Sequence, residues 1–228
     1  MKYEIIGDTV PYVECTLNNG QSVYTQNGGM SWRDPEFEMI TNTRGGLMKG
    51  LGRMFSGDSL FMNTYKATKD GAKIAFASTV PGEIIPLELT NNHPGIIAQK
   101  GAFLCAEDSI SFNVTFTKKF GAGLFGGEGF VLQDIHGEGK VFLEVDGNIC
   151  KKQLQAGESI MVDTGNVVYF EKTCTYAIET VKGVKNIFLG GEGIFLTKIT
   201  GPGMVVLQSQ NFGDFAGRII PYIPTNRN

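Results

Sequence analysis

Hydrophobic and polar positions alternate in short runs along most of the chain. Val141, Leu143 and Val145 alternate with Phe142, Glu144 and Asp146, the two-residue period of a strand with one face buried. The turn pair Gly147-Asn148 follows, then Ile149 to Leu154, then a second turn at Ala156-Gly157-Glu158. Further runs cover Ser159 to Val162, Val167 to Phe170 and Thr175 to Val181, each four to seven residues long and bounded by Gly, Asn or Asp. Short strands so closely spaced predict an all-β architecture: a sandwich, a barrel or a β-helix-like roll. No helical pattern of 10–15 residues alternates with them, which argues against an α/β fold. One segment departs from the period. In Arg44 to Ser56, Leu47, Leu51, Met54 and Phe55 fall at helical spacing, with Lys49 and Arg53 on other faces. Gly45, Gly46, Gly50 and Gly52 weaken a helix there. The segment reads as a loop or short helix packed on the sheet; the alternative is an amphipath for a membrane surface or a partner.

The pattern also repeats. Residues 124–143 and 188–207 align at an offset of 64 without gaps, and ten of twenty positions are identical. The shared frame is G-G-E-G-x-x-L-x-x-I-x-G-x-G-x-V-x-L. A weaker copy occupies residues 55–65, with Gly57-Asp58 where Gly127-Glu128 and Gly191-Glu192 stand. A turn at Lys69-Asp70-Gly71 and a strand from Lys73 to Ala77 follow it. Two or three like units are therefore expected in one compact domain, 1–228, divided approximately as 1–110, 111–175 and 176–228.

Composition narrows the class. The chain has 228 residues, a net charge of −3, 42% hydrophobic and 19% charged residues, which suits an ordinary globular protein. Its 31 glycines are about twice the usual share and match a chain of many tight turns. The N-terminus shows no apolar signal core and no run long enough to span a bilayer, so a cytoplasmic protein is expected. Cys15, Cys105, Cys150 and Cys174 lie far apart and are expected to be reduced strand or core residues. The slight acidity argues against nucleic acid as a partner.

Several chemistries look available and lack a required part. Gly121-Ala122-Gly123-Leu124-Phe125-Gly126 fits G-x-G-x-x-G, but a strand pattern follows where a dinucleotide site needs a helix N-terminus. The two histidines, His93 and His136, form no ligand pair, and no G-x-S-x-G elbow is present. No catalytic, cofactor-binding or metal-binding residue is assigned, and no cofactor is expected. The candidate structural or interface motif is Asp58, Gly127, Glu128, Gly129, Gly191, Glu192 and Gly193. Each acid follows a glycine, so its carboxylate suits backbone N–H groups of a tight turn. An inter-subunit contact or a cation site is the alternative. Gly127, Gly129, Gly191 and Gly193 are expected at positive φ or at close strand approaches, so Gly191→Val is expected to destabilise the fold. Lys118-Lys119, Lys151-Lys152 and Lys182/Lys185 read as solvated charges at sheet edges.

The chain resembles the altered-inheritance-of-mitochondria 24 family, formerly domain of unknown function 124. The resemblance rests on Tyr24 to Trp32, Arg44-Gly45-Gly46, Gly57 to Phe61, Pro81-Gly82, Gly126 to Gly129, Val162 to Gly165, Gly190 to Gly193 and Gly201 to Ser209. It implies an attenuator-like roll of the double-stranded β-helix type, with units repeated in one chain, after the subunit of the tryptophan-sensing RNA-binding attenuator. It also implies a homo-oligomer, a trimer around a ring being favoured. It brings no catalytic residues and no accepted activity; the inner-membrane role of mitochondrial relatives is not carried over. The expected function is a non-enzymatic oligomeric scaffold or interaction module with an unidentified protein partner. The alternatives are a small-ligand- or RNA-binding regulator by fold analogy, and a membrane-edge adaptor using Arg44 to Ser56 and Phe120 to Phe125.

Overall fold

The computed structural model describes residues 1–26, 28–43, 61–93, 95–118, 130–180 and 195–223. They form antiparallel strands and one short helix. In chain order the strands begin with β1 (Lys2–Ile6), β2 (Tyr12–Leu17), β3 (Ser22–Gln26), β4 (Trp32–Arg33), β5 (Phe37–Thr43), β6 (Phe61–Ala67) and β7 (Ala72–Ala77). Next come β8 (Gly82–Leu89), β9 (Ile96–Gln99), β10 (Phe103–Glu107), β11 (Ile110–Lys118), β12 (Phe130–Gly137) and β13 (Gly139–Asp146). The last are β14 (Ile149–Leu154), β15 (Ser159–Asp163), β16 (Val167–Glu171), β17 (Thr175–Thr180), β18 (Phe195–Thr200) and β19 (Gly203–Gln208). The expected all-β class is what the chain adopts. The alternation also placed strands closely: β14 is the expected Ile149 to Leu154, and β15 and β16 extend their expected runs by one residue each.

The strands assemble into four sheets. Sheet I runs β1-β2-β7-β4 and sheet II runs β5-β6-β3-β10-β13-β8. Sheet III runs β11-β12-β9-β16-β19-β14 and sheet IV runs β15-β18-β17. Raising each strand number of sheet II by six reproduces sheet III. Neighbours along the chain are often not neighbours in a sheet. Only Glu138 separates β12 from β13, yet β12 lies in sheet III and β13 in sheet II.

Three apolar cores separate the sheets. Between sheets I and II, Val13, Cys15, Leu17, Ile74 and Phe76 meet Val23, Tyr65, Leu104 and Phe142. Between II and III, Tyr24, Met62, Leu143 and Val145 meet Ile96, Ile110, Ile135 and Val206. Between III and IV, Phe130, Leu132, Phe170 and Val205 meet Val162 and Ile199. Strands of the middle sheets feed both neighbours: Phe142 points into the first core while Val141 and Leu143 point into the second, as the period of two requires. The helix, α1 (Phe212–Ile219), follows the last strand. The Asn211 side chain caps it by accepting from Asp214 N at 2.8 Å, and the Asp146 carboxylate accepts from Phe212 N at 2.8 Å. Among the described residues no helix is long and apolar enough to cross a membrane.

Candidate functional site

Asp58, Gly127, Glu128, Gly129, Gly191, Glu192 and Gly193 all lie outside the described residues, as do Arg44 to Ser56 and the G-x-G-x-x-G run. Their places in the chain are alike. Residues 44–60 connect β5 to β6, 119–129 connect β11 to β12, and 181–194 connect β17 to β18; each connection joins two antiparallel partners.

Other acids are engaged by the described fold. Asp34, just after β4, accepts from Lys73 N at 2.8 Å. Glu107, at the end of β10, accepts from Lys140 N at 2.7 Å, and its other oxygen meets the N-terminal ammonium at 3.1 Å. Glu171, at the end of β16, accepts from Met204 N at 2.9 Å. Each carboxylate thus holds the start of a strand that the chain enters from a different sheet, through a charge-assisted bond stronger than a neutral one. The sequence reading missed this set. Glu107 and Glu171 stand 64 residues apart, the offset of the glycine motif, and that spacing was the available signal.

Three more acids are half-buried in turn contacts. Glu144 accepts from Thr79 N at 2.9 Å and Thr79 Oγ1 at 3.1 Å, and burial pushes its carboxyl up. Burial raises Asp146, against the bond from Phe212 N, and raises Asp163, against the bond from Gly165 N. A carboxyl raised in the folded state binds more protons there than in the unfolded chain. Stability contributed by Glu144 is therefore fullest below its ordinary value of 4.5 and falls as pH rises through the raised folded value. Glu144→Gln keeps an acceptor for Thr79 and removes the ionisation. Its expected result is a flatter fall of melting temperature as pH rises above 4.5 than in the parent chain. Parallel profiles would show that Glu144 is solvated in solution.

The remaining candidate groups are also occupied. His93 Nδ1 accepts from Gly95 N at 3.1 Å. His136 Nδ1 lies 3.3 Å from Asp134 Oδ1, whose other oxygen binds Lys172 Nζ at 2.8 Å. Among the described residues no cluster of three or more His, Cys, Asp or Glu is placed to hold a metal. All four cysteines are free thiols, and Cys150 alone of them is exposed. Burial, then the neighbouring Cys15, pushes the Cys105 thiol well up; burial and Glu171 raise Cys174. Thiols shifted upward hold less thiolate and are poorer nucleophiles. Gln133 is fully buried, with neither its Oε1 nor its Nε2 paired.

The model of the family described as mitochondrial biogenesis AIM24 matches residues 3–210. An uncharacterized protein of Streptococcus pyogenes serotype M6 is 33% identical over 226 residues, covering 96% of this chain and 89% of its own length. The crystal structure of a Streptococcus pyogenes protein from a structural-genomics programme superposes with a TM-score of 0.75 at 27% identity, covering 97% of this chain and 99% of that one.

Proposed function

The chain belongs to the AIM24 family, and we propose that it serves as a non-enzymatic, oligomeric β scaffold or interaction module. The observation that carries this reading is the use of its acids. Asp34, Glu107, Glu171, Glu144, Asp146 and Asp163 each accept a backbone N–H at a strand start, turn or helix start. A catalytic site instead gathers such groups around a space where a substrate can meet them. The matching family and relative carry no activity in their descriptions. A cytoplasmic setting is part of the reading; four unbridged thiols suit a reducing compartment. The Gly-Gly-Glu-Gly connections remain the proposed structural or interface motif, for a second copy of the chain or another protein.

Native mass spectrometry of the purified protein at two concentrations tests this. The expected result is one oligomer, a trimer being favoured, whose mass is a whole multiple of the chain. A monomer at both concentrations, or a fixed extra mass per subunit, overturns the scaffold reading.

A further inference from the structure

Strands β2, β8 and β14 hold matching places in sheets I, II and III. They lie beside β7, β13 and β19, with Leu17, Leu89 and Leu154 opposite Ala72, Gly139 and Gly203. Three residues before each leucine, Glu14, Pro86 and Lys151 share one register position. The bonds just before these strands fix which backbone groups face away. Ser78 N donates to Pro11 O, Gly147 N to Pro81 O and Ser209 N to Asn148 O. Bonded positions alternate along an antiparallel pair. Glu14, Pro86 and Lys151 therefore turn their backbone groups outward, away from β7, β13 and β19.

The three outer edges are finished differently. Beside β2 the chain adds its own β1, with Glu4 opposite Glu14 and Tyr3 opposite Cys15. On β8, Pro86 has no N–H to offer at this position, which blunts the edge. On β14 the outward N–H groups are taken at the two ends. Ile149 N donates to Glu83 Oε1 at 3.0 Å, and Gln155 N, just past the strand, to Glu158 Oε2 at 2.9 Å. Between them Lys151 and Gln153 turn N–H and C=O outward, and among the described residues β14 pairs with β19 alone. Cys150, Lys151, Lys152 and Gln153 are all exposed. Among the described residues neither lysine has an ion-pair partner. Adjacent strand residues point to opposite faces, so a strand laid on this edge would meet one lysine on each face.

We propose that the outer edge of β14 is a docking site for an extended acidic segment of another protein, added antiparallel as β1 is added to β2. The register of β1 carries over: the residues in the places of Glu4 and Tyr3 stand opposite Lys151 and Lys152, and both are acids. Backbone bonds to Lys151 and Gln153 give the segment its affinity, and opposite charges across the pair select it. The same lysines exclude the simplest alternative, since β14 of a second copy would bring lysine against lysine. They also turn away basic strands, so the charges that guard the edge against general aggregation leave it open to one class of partner. This assignment rests on the interaction-module reading and names the surface and the partner class that reading needs.

The test is a titration of the full chain with a fluorescein-labelled octapeptide of Thr and Val carrying two adjacent Glu at its centre. Saturable binding is expected, with hydrogen exchange slowed at the amides of Lys151 and Gln153. Replacing the two Glu by Lys, or methylating the peptide nitrogens that would face β14, is expected to weaken binding about tenfold or more. Lys151→Glu with Lys152→Glu is expected to reverse the preference between the acidic and the basic peptide. Gln153→Pro removes an outward N–H, as Pro86 does on β8, and keeps both lysines; it is expected to weaken binding to a similar degree while the melting temperature is unchanged. No saturable binding, or binding that survives both variants, overturns the site. Equal binding of the methylated peptide reduces the contact to charge and overturns the added strand. An oligomer in native mass spectrometry that dissociates on Gln153→Pro places a second copy on this edge and overturns the acidic partner. If the peptide fails while the parent chain is oligomeric, the edge assignment falls and the scaffold reading stands. If the parent chain is monomeric, the oligomeric scaffold falls, and the peptide result still decides the edge.

Discussion

Phe142→Ala is expected to lower stability by about 4 kcal/mol, in the range for large aromatic truncations in a packed core. Phe142 is 0% exposed and sits on β13 among Val13, Cys15, Ile74, Leu104 and Cys105 in the first core. Tyr3 on β1 meets its ring edge-on at 4.9 Å and 74°. Removing the ring opens a cavity between sheets I and II and leaves Tyr3, already 40% exposed, without its contact. Sheets hydrogen-bonded on either side cannot collapse into that space. For a chain of this size each kcal/mol moves the melting temperature by about 2–4 °C, so the fall is about 8–16 °C. Phe142→Leu, nearer in volume, is expected to lose about 1–2 kcal/mol. Scanning calorimetry of the three proteins checks the order; an Ala variant that melts with the Leu variant would show a core loose enough to close.

Gly82→Ala is expected to cost about 3 kcal/mol, and for a different reason. Gly82 opens β8, pairs with Asp146 and donates its N–H to Thr9 O at 2.8 Å. An added Cβ would overlap the Val145 carbonyl oxygen and stand 2.9 Å from its carbon. Those atoms are backbone inside a sheet, so no side chain can swing away. Gly157→Ala is the comparison. It lies at φ +82° with nothing within 4 Å of the added carbon, so only backbone strain of about 1 kcal/mol is expected. A melting temperature lowered by about 6–12 °C at position 82 and by about 2–4 °C at position 157 would separate crowding from strain. Equal shifts would place β8 farther from β13 than the structure has it.

The strands were legible because their causes are local. Alternation chooses the buried face, and Gly147-Asn148 and Ala156-Gly157-Glu158 end the runs, so β14 and β15 emerged near their observed bounds. Pairing was not legible. Thr25 Oγ1 donates to Leu104 O and Tyr24 Oη to Ile110 O, contacts 79 and 86 residues long that no short window contains. Helix α1 escaped notice because Gly213 and Gly217 occupy two of its eight positions; a cap at Asn211 and a carboxylate 66 residues upstream hold it instead. The Gly-Gly-Glu-Gly signal drew attention to connections outside the described residues. The acids that the described fold uses stand in dissimilar local contexts, Asp34-Pro35, Glu107-Asp108 and Glu171-Lys172; the 64-residue spacing links the last two, and only the shared backbone bond adds Asp34.

The distance between β3 and β10 along the chain also sets a clock. Translation yields about 5–20 residues per second, so the side of β3 that receives β10 waits roughly 4–16 s for the 79-residue stretch between Thr25 and Leu104 to be made. Strand β9 waits in the same way for β16. Each nascent molecule therefore carries a strand edge that its own next segment must reach before a neighbouring ribosome's product does. The probability of faithful folding falls with the density of ribosomes on the message, and slow, dilute expression favours the native pairings.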